Sequence, residues 1–324
     1  FDTGDSKYKK ITYRNSFEFY NIFRDTPTDI HSKSQKKLST VFSTNSNFIK
    51  YRSKINLKSN LYNQFYDVED KKTDDLYVGS HYFRSFPIFG LSLETPFKNN
   101  LFFKNLIYTP QLSLVLSPGM SNTNRISNED SSINSYTIQN NSSLNRFTGT
   151  DKLDNSKRID FSMEAKQNNF DATIWQSYEF TDNSNFHYSQ GNEKNLSDLL
   201  GEINYEKETY LAGYNFRYDV HNNFNKSQNL DLEFKTKFGN LNFKYLDQKS
   251  KTNDIILTDN ETLNYNYNSL LINKYSKISL FGLYDFKDNI NKENGLNYSY
   301  FDECFGVNID FKRNSYTEDS LKPQ

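Results

Sequence analysis

The stretch SLNRFTGTDKLDNSKRID, residues 143–160, gathers two arginines, two lysines and three aspartates around a single glycine. Guanidinium and ammonium groups at that density do one of two things: they pair with carboxylates, or they hold phosphate oxygens. Charges that are even partly buried must be paired, so Arg146, Asp151, Lys152, Asp154 and Arg158 read as a crossed charge network. Gly149 permits a sharp turn or a positive φ within it. Asn128, Glu129 and Asp130 form a second polar motif just upstream, but adjacent carboxylates on a strand point to opposite faces and do not make an acid/base couple. The four histidines (His31, His81, His187 and His221) have no metal-ligand spacing. G-x-S-x-G, glycine-rich phosphate loops and C-x-x-C are missing from the sequence. Catalysis, a resident cofactor and a metal centre are therefore not expected.

The elements that position these charges are strands. The chain has 324 residues and a formal net charge of -1, so nothing points to nucleic acid. Mean hydropathy is -0.86, yet Phe and Tyr number 28 and 24, far too many aromatics for a disordered chain. No run approaches the roughly 18 to 20 apolar residues of a membrane helix. The apolar groups alternate instead. In NLIYTPQLSLVLSPG, Leu106, Tyr108, Leu112, Leu114 and Leu116 share one parity. ETYLAGYNFRYDV sets Tyr210, Ala212, Tyr214, Phe216 and Tyr218 against Gly213, Asn215, Arg217 and Asp219. NLNFKYLDQ, KISLFGLYDFKDN and CFGVNIDFKRN repeat the pattern, each giving one greasy and one wet strand face.

Asn-, Asp- and Ser-rich clusters separate these segments as turns require. At about 25 residues per strand and connector, the chain is expected to hold roughly 12 to 14 strands in a meander of hairpins. A β-sandwich could not satisfy Asn, Lys, Asp and Arg on its inward parity. A membrane barrel takes about 9 to 11 residues per crossing, with an outward apolar band, aromatic girdles and a polar lumen. Segments of about 9 to 13 residues fit that description, and Tyr298, Tyr300 and Phe301 suit a lipid–water boundary. The expected fold is all-β, an antiparallel up-and-down transmembrane β-barrel.

Several motifs in order carry a resemblance. TPQLSLVLSPG is followed by Asn128-Glu129-Asp130-Ser131, then NRFTGTDK and the run Arg158 to Phe161. This region resembles the signature of the LptD family of lipopolysaccharide-assembly proteins, whose pattern reads approximately Asn-Arg-Phe-Ser-Gly-x-Asp-Arg. Thr148 replaces the Ser and Lys152 the last Arg, which keeps the charge but loses the planar fork. RSFPIFGLSLETPF (84–97) resembles the family's strand before the signature, and YFDECFGVNIDFKR its C-terminal cysteine strand.

The resemblance implies residues 1–324 to be part of the family's C-terminal outer-membrane barrel, with the N-terminal jellyroll and the last strand outside the sequence. It implies a translocon that assembles lipopolysaccharide at the cell surface, located in the cell outer membrane. The implied partners are lipopolysaccharide, outer-membrane lipids, an LptE-like plug lipoprotein and an LptA-like periplasmic bridge of jellyrolls. For the signature residues Asn145, Arg146, Gly149, Asp151, Lys152 and Arg158, three readings stand. They are a latch pinning a long loop to the barrel wall, contact with phosphorylated lipopolysaccharide sugars, or a solvated charge patch. Cys304, the single cysteine, excludes an internal disulfide and reads either as an inert buried residue or, by the resemblance, as bonded to an N-terminal soluble domain. A porin or substrate-specific channel is the alternative function, sharing the alternation but with no reason to carry NRFTGTDK.

Overall fold

A computed structural model describes residues 2–8, 10–73, 76–99, 105–120, 122–132, 136–181, 195–252, 255–270, 272 and 274–315. Among them the chain forms β1 (Ser6–Tyr8), β2 (Ile11–Phe23), β3 (Ser34–Lys50), β4 (Ser53–Thr73), β5 (Leu76–Glu94), β6 (Phe97–Asn99) and β7 (Leu106–Leu116). A short helix, α1 (Ile138–Asn141), follows, then β8 (Lys157–Gln167), β9 (Phe170–Glu179), β10 (Leu199–Lys207), β11 (Tyr210–Asp219) and β12 (Phe224–Thr236). The remainder is β13 (Gly239–Thr252), β14 (Ile255–Ser269), β15 (Ser276–Asp285), β16 (Ile290–Phe301) and β17 (Gly306–Asn314). The fold is all-β and antiparallel, and no helix among the described residues is long and apolar enough to cross a membrane.

Seventeen strands exceed the 12 to 14 expected, because the connectors are shorter than the estimate allowed. Two-residue turns join β8 to β9, β10 to β11 and β12 to β13. At the first of these Asn168 takes φ 43°, the left-handed conformation that a tight hairpin turn demands. Strand length also departs from expectation. β3, β4 and β5 run 17, 21 and 19 residues, well past one bilayer crossing, and the surplus is where the central loop docks.

The chain divides into two compact units. The first comprises Phe1–Asn99, Tyr108–Met163 and Trp175–Ser197. Its strands pair β2–β3–β4–β5–β7, all antiparallel, with one register shift between β4 and β5 at Val68/Lys71. Register lines up Phe19, Leu38, Phe65 and Phe83 in one row, all exposed, with Phe19 at 70% and Phe83 at 65%. The neighbouring rows, Tyr20–Lys37–Tyr66–Tyr82 and Glu18–Ser39–Gln64–Arg84, face the other way. There Lys37, Gln64 and Arg84 are each only 1% exposed. Large apolar groups outward and buried polar groups inward is the arrangement of a lipid-facing wall with a polar interior.

What buries the inner face is the segment 117–156 between β7 and β8, which contains α1. Thr137 caps that helix, accepting a hydrogen bond from the Asn140 backbone N–H. The segment adds Leu153 to a cluster of Tyr62, Phe86, Ile88 and Val115, with Val41 and Leu144 packed beside it. Ile126 joins Tyr66 and Val68 in a second cluster. Burying each such side chain contributes about 1.5–3 kcal/mol. Gly90 on β5 leaves the space that the Leu144 side chain occupies.

The second unit comprises Asn100–Ile107, Glu164–Ile174 and Asp198–Gln324. β10 to β17 pair consecutively, each antiparallel to the next. Register places Phe234, Leu241, Tyr267, Leu280, Leu296 and Phe311 in one row. The adjacent row on the opposite face reads Lys235, Asn240, Asn268, Ser279, Asn297 and Asp310. Period-two alternation in the sequence thus becomes two chemically distinct surfaces. Tyrosine hydroxyls meet polar partners: Tyr245, midway along β13, donates to Glu261 at 2.8 Å, and Tyr300, at the end of β16, donates to Asp302 at 3.0 Å. The position of Tyr300 is the amphipathic placement expected at a membrane boundary.

Candidate functional site

The inner face of the first unit and the 117–156 segment meet around one carboxylate. Asp151 is 1% exposed. It accepts hydrogen bonds from the hydroxyls of Tyr66 at 2.9 Å and Tyr20 at 3.1 Å, and pairs with Lys37 Nζ at 2.9 Å. Backbone N–H groups of Glu129 and Asp130 donate to Oδ2, the oxygen Tyr20 also reaches, at 2.8 and 3.2 Å, while Tyr66 and Lys37 hold Oδ1. Three strands, β2, β3 and β4, therefore converge on one loop side chain. They do so because Tyr20, Lys37 and Tyr66 are partners in a single register row.

Asp130 doubles the clamp. Its carboxylate pairs with Lys37 at 2.6 Å, and accepts from Ser131 Oγ at 2.7 Å and from the Asp151 backbone N–H at 2.8 Å. Burial alone would raise its pKa, but Lys37 and these hydrogen bonds hold it well below the usual carboxylate range. Arg84 on β5 donates to Gln64 Oε1 at 2.8 Å and to the carbonyls of Thr150 and Asp151 at 2.9 Å each. Gln35 on β3 accepts from the Ser127 N–H at 2.7 Å and donates to its carbonyl at 2.9 Å. Glu129 takes both guanidinium nitrogens of Arg24, at 3.1 and 2.6 Å, with His31 3.4 Å away.

A second buried set closes the far end of the segment. Arg146 pairs with Asp154 at 2.5 Å and with Glu179 on β9. Arg158 on β8 forks onto Asp160 at 3.1 Å, reaches Asp154 at 3.3 Å, and donates to the Ser143 carbonyl at 2.5 Å. Asn145 accepts from the Asp154 N–H at 3.0 Å and donates to the Gly149 carbonyl at 3.2 Å, so the turn between the two sets is itself tied.

Several expectations need correction. The charges form two sets instead of one crossed network, because Asp151 turns to the strands while Arg146 and Arg158 share Asp154. Lys152 is exposed, and its part in the clamp is a backbone N–H donated to Ser131 Oγ at 2.9 Å. Gly149 does not take a positive φ; a Cβ there would overlap the Asp130 carbonyl, so close approach is what requires glycine. Asn128, Glu129 and Asp130 lie outside any strand, the last two in a bend, and Asn128 Oδ1 accepts from the Ser131 N–H at 3.0 Å. Cys304 is exposed in the turn between β16 and β17, which removes the reading of a buried inert thiol. His187, the TDNSN turn from residue 182 onward and the tail from 316 lie outside the described residues.

Sequence reasoning missed Lys37, Arg84, Tyr20, Tyr66, Gln35 and Gln64, which supply most of the clamp. The available signal was a run of inward polar positions on consecutive long strands. Among the described residues no group of three or more His, Cys, Asp or Glu could hold a metal ion.

An antiparallel meander with one apolar face and one polar face has the make-up of an outer-membrane β-barrel wall. The family model for LptD, LPS transport system D, matches residues 5–290. The chain belongs to the LptD family, which transports lipopolysaccharide and assembles it in the outer membrane without enzymatic chemistry. Its location is the cell outer membrane. No curated protein matches the sequence. Among solved structures, a mutant porin of Rh. blastica is similar over 94% of this chain and 94% of its own, at 8% identity and a TM-score of 0.35.

Proposed function

We propose that the strands form part of the family's C-terminal barrel domain and that the 117–156 segment is a fixed part of its wall, latched in place by Asp151. The observation that carries this reading is the burial of the Asp151 carboxylate among Lys37, Tyr20 and Tyr66 from three strands. A buried charge with every oxygen engaged resists opening, since breaking such a pair costs about 3–5 kcal/mol. The latched segment narrows the space along the inner face of the first unit. The hydrated sugars of lipopolysaccharide move along this polar interior while the acyl chains stay with lipid.

The partners that fit this role are an LptE-like plug lipoprotein and an LptA-like periplasmic bridge. The exposed thiol of Cys304 is open to a disulfide with a separate soluble domain, as the oxidising periplasm permits. The test is depletion of the protein followed by rescue with wild type or Asp151→Ala, measuring surface lipopolysaccharide. Wild type restores it and the variant does not. Full rescue by a variant whose 117–156 segment has become protease-sensitive would overturn the latch.

A further inference from the structure

The same register rows that build the latch continue down the strands into a cavity of about 580 Å³. Its floor is laid by two successive rows of the first unit, Thr12–Asn45–Lys58 and Arg14–Ser43–Asn60. The next row, Ser16–Val41–Tyr62, leads to the latch itself. Residues 143–145 and 147–150 of the loop form the opposite wall, bringing Leu144 and Phe147 as apolar groups and Ser143 and Thr148 as hydroxyls.

We propose that this cavity is a subsite for a phosphorylated sugar; the proposal rests on the lipopolysaccharide-transport reading above and locates one contact within it. The signature arginines cannot serve, because Arg146 and Arg158 are 2% and 0% exposed and engaged with Asp154, Asp160 and Glu179. The cavity offers what they cannot. Lys58 is exposed and makes no ion pair among the described residues, so it is the cation the cavity leaves open, whereas Arg14 is half-exposed and already holds the Asp2 carboxylate through Nε and Nη2. Lys58 stands at one corner of the two floor rows and the Arg14–Asp2 pair at the opposite one, with Asp5 the carboxylate among the lining groups. Between them lie amides and hydroxyls suited to sugar hydroxyls. Asn45 Oδ1 is buried with no hydrogen-bond partner among the described residues, an acceptor that amide rotation would turn to a sugar donor. Val41, Tyr62, Leu144 and Phe147 give the apolar surface against which the C–H face of a pyranose packs. The volume falls in the range of about 300–1,000 Å³ typical of small-ligand sites.

The wall and the latch share Thr150, which lines the cavity and donates its hydroxyl toward Asp130 while its carbonyl accepts from Arg84. The latch thus shapes the sugar-facing wall without touching the sugar.

Two measurements test this. Lipid-free, phosphorylated core oligosaccharide from lipopolysaccharide is titrated against the purified full-length protein, beside the same oligosaccharide after phosphatase treatment. The expected result is that the phosphorylated form binds the wild type, that phosphatase treatment weakens it about tenfold or more, and that Lys58→Gln does the same. Equal binding of the two oligosaccharides, or an unchanged affinity in Lys58→Gln, overturns the proposal. In cells, a photo-crosslinking amino acid in place of Lys58 is expected to capture lipopolysaccharide. Absence of that adduct in a strain whose surface lipopolysaccharide is normal overturns the subsite while leaving the transport reading intact. Loss of surface lipopolysaccharide dependence on the protein would instead sink the transport reading first. Lys58→Gln is checked for heat-modifiable gel migration, and an Asn60→Ala variant provides a second, uncharged probe of the same floor, expected to weaken both oligosaccharides alike.

Discussion

The two units use one repeating pattern to different ends. In the second unit, β10–β17 form a single layer in which β17 leaves nearly every residue exposed on both faces. In the first, the inner face of β2–β5 is covered, and among the described residues all the buried apolar side chains except Leu106 and Leu200 lie in this unit. Both units alternate greasy and wet residues. The difference lies in strand length and in the loop. Strands of 17 to 21 residues present more inner rows than a bilayer crossing uses, and those rows carry Lys, Gln, Arg and Tyr. Such groups are stable when solvated or fully hydrogen-bonded and costly in between, so a loop able to satisfy them completes the surface.

The largest way to break this contrast is Asp151→Ala. It removes the fully buried one of the three carboxylates around Lys37, leaving Asp130 and Glu18, and it removes the acceptor shared by Tyr20, Tyr66 and the backbone N–H groups of Glu129 and Asp130. The expected cost is about 3–5 kcal/mol, confined to the first unit. Limited proteolysis reads it as new cleavage within 117–156 while the β10–β17 turns keep their wild-type pattern; equal cleavage in both units would count against a local latch. Gly149→Ala comes next. The added methyl collides with the Asp130 carbonyl, and overpacking of that kind costs about 1–3 kcal/mol. A lower temperature for the onset of loop cleavage measures it.

Acid sharpens the comparison. The folded-state pKa of Asp130 is depressed, so its contribution is complete above the unfolded carboxyl value of about 3.9 and is lost as pH falls below it toward the folded pKa. Loop cleavage by an acid-active protease should therefore rise between about pH 4 and pH 2, and the rise should shrink in Lys37→Gln, which lacks the cation that depresses it. An unaltered pH profile in that variant would refute the assignment. The smallest effect belongs to Lys152→Ala. That side chain is exposed, so stability should stay within about 0.5 kcal/mol of wild type. A larger loss would mean that the family's charge at this position acts through a contact the loop does not make on its own.

Much of the architecture was legible along the chain. Alternation in NLNFKYLDQ and KISLFGLYDFKDN anticipated β13 and β15 and their two faces, since successive side chains on a strand must diverge. Strand number was less legible, because two-residue turns such as Asn168–Asn169 leave little trace between alternating runs. The signature stretch announced that Arg146, Asp151, Asp154 and Arg158 needed partners, and which partners was hidden. Asp151 lies 114 positions from Lys37 and 131 from Tyr20, distances at which local spacing is silent.

By itself the sequence determined a β meander with one lipid-compatible face, the turns that fold it, and a charged loop that could not stay unpaired. Only the tertiary structure decided that this loop turns inward, that Lys37 and not Lys152 answers Asp151, and that Lys58 is left facing a cavity. The physical reason is that alternation is a property of neighbouring residues, whereas charge pairing depends on the register that brings remote strands side by side.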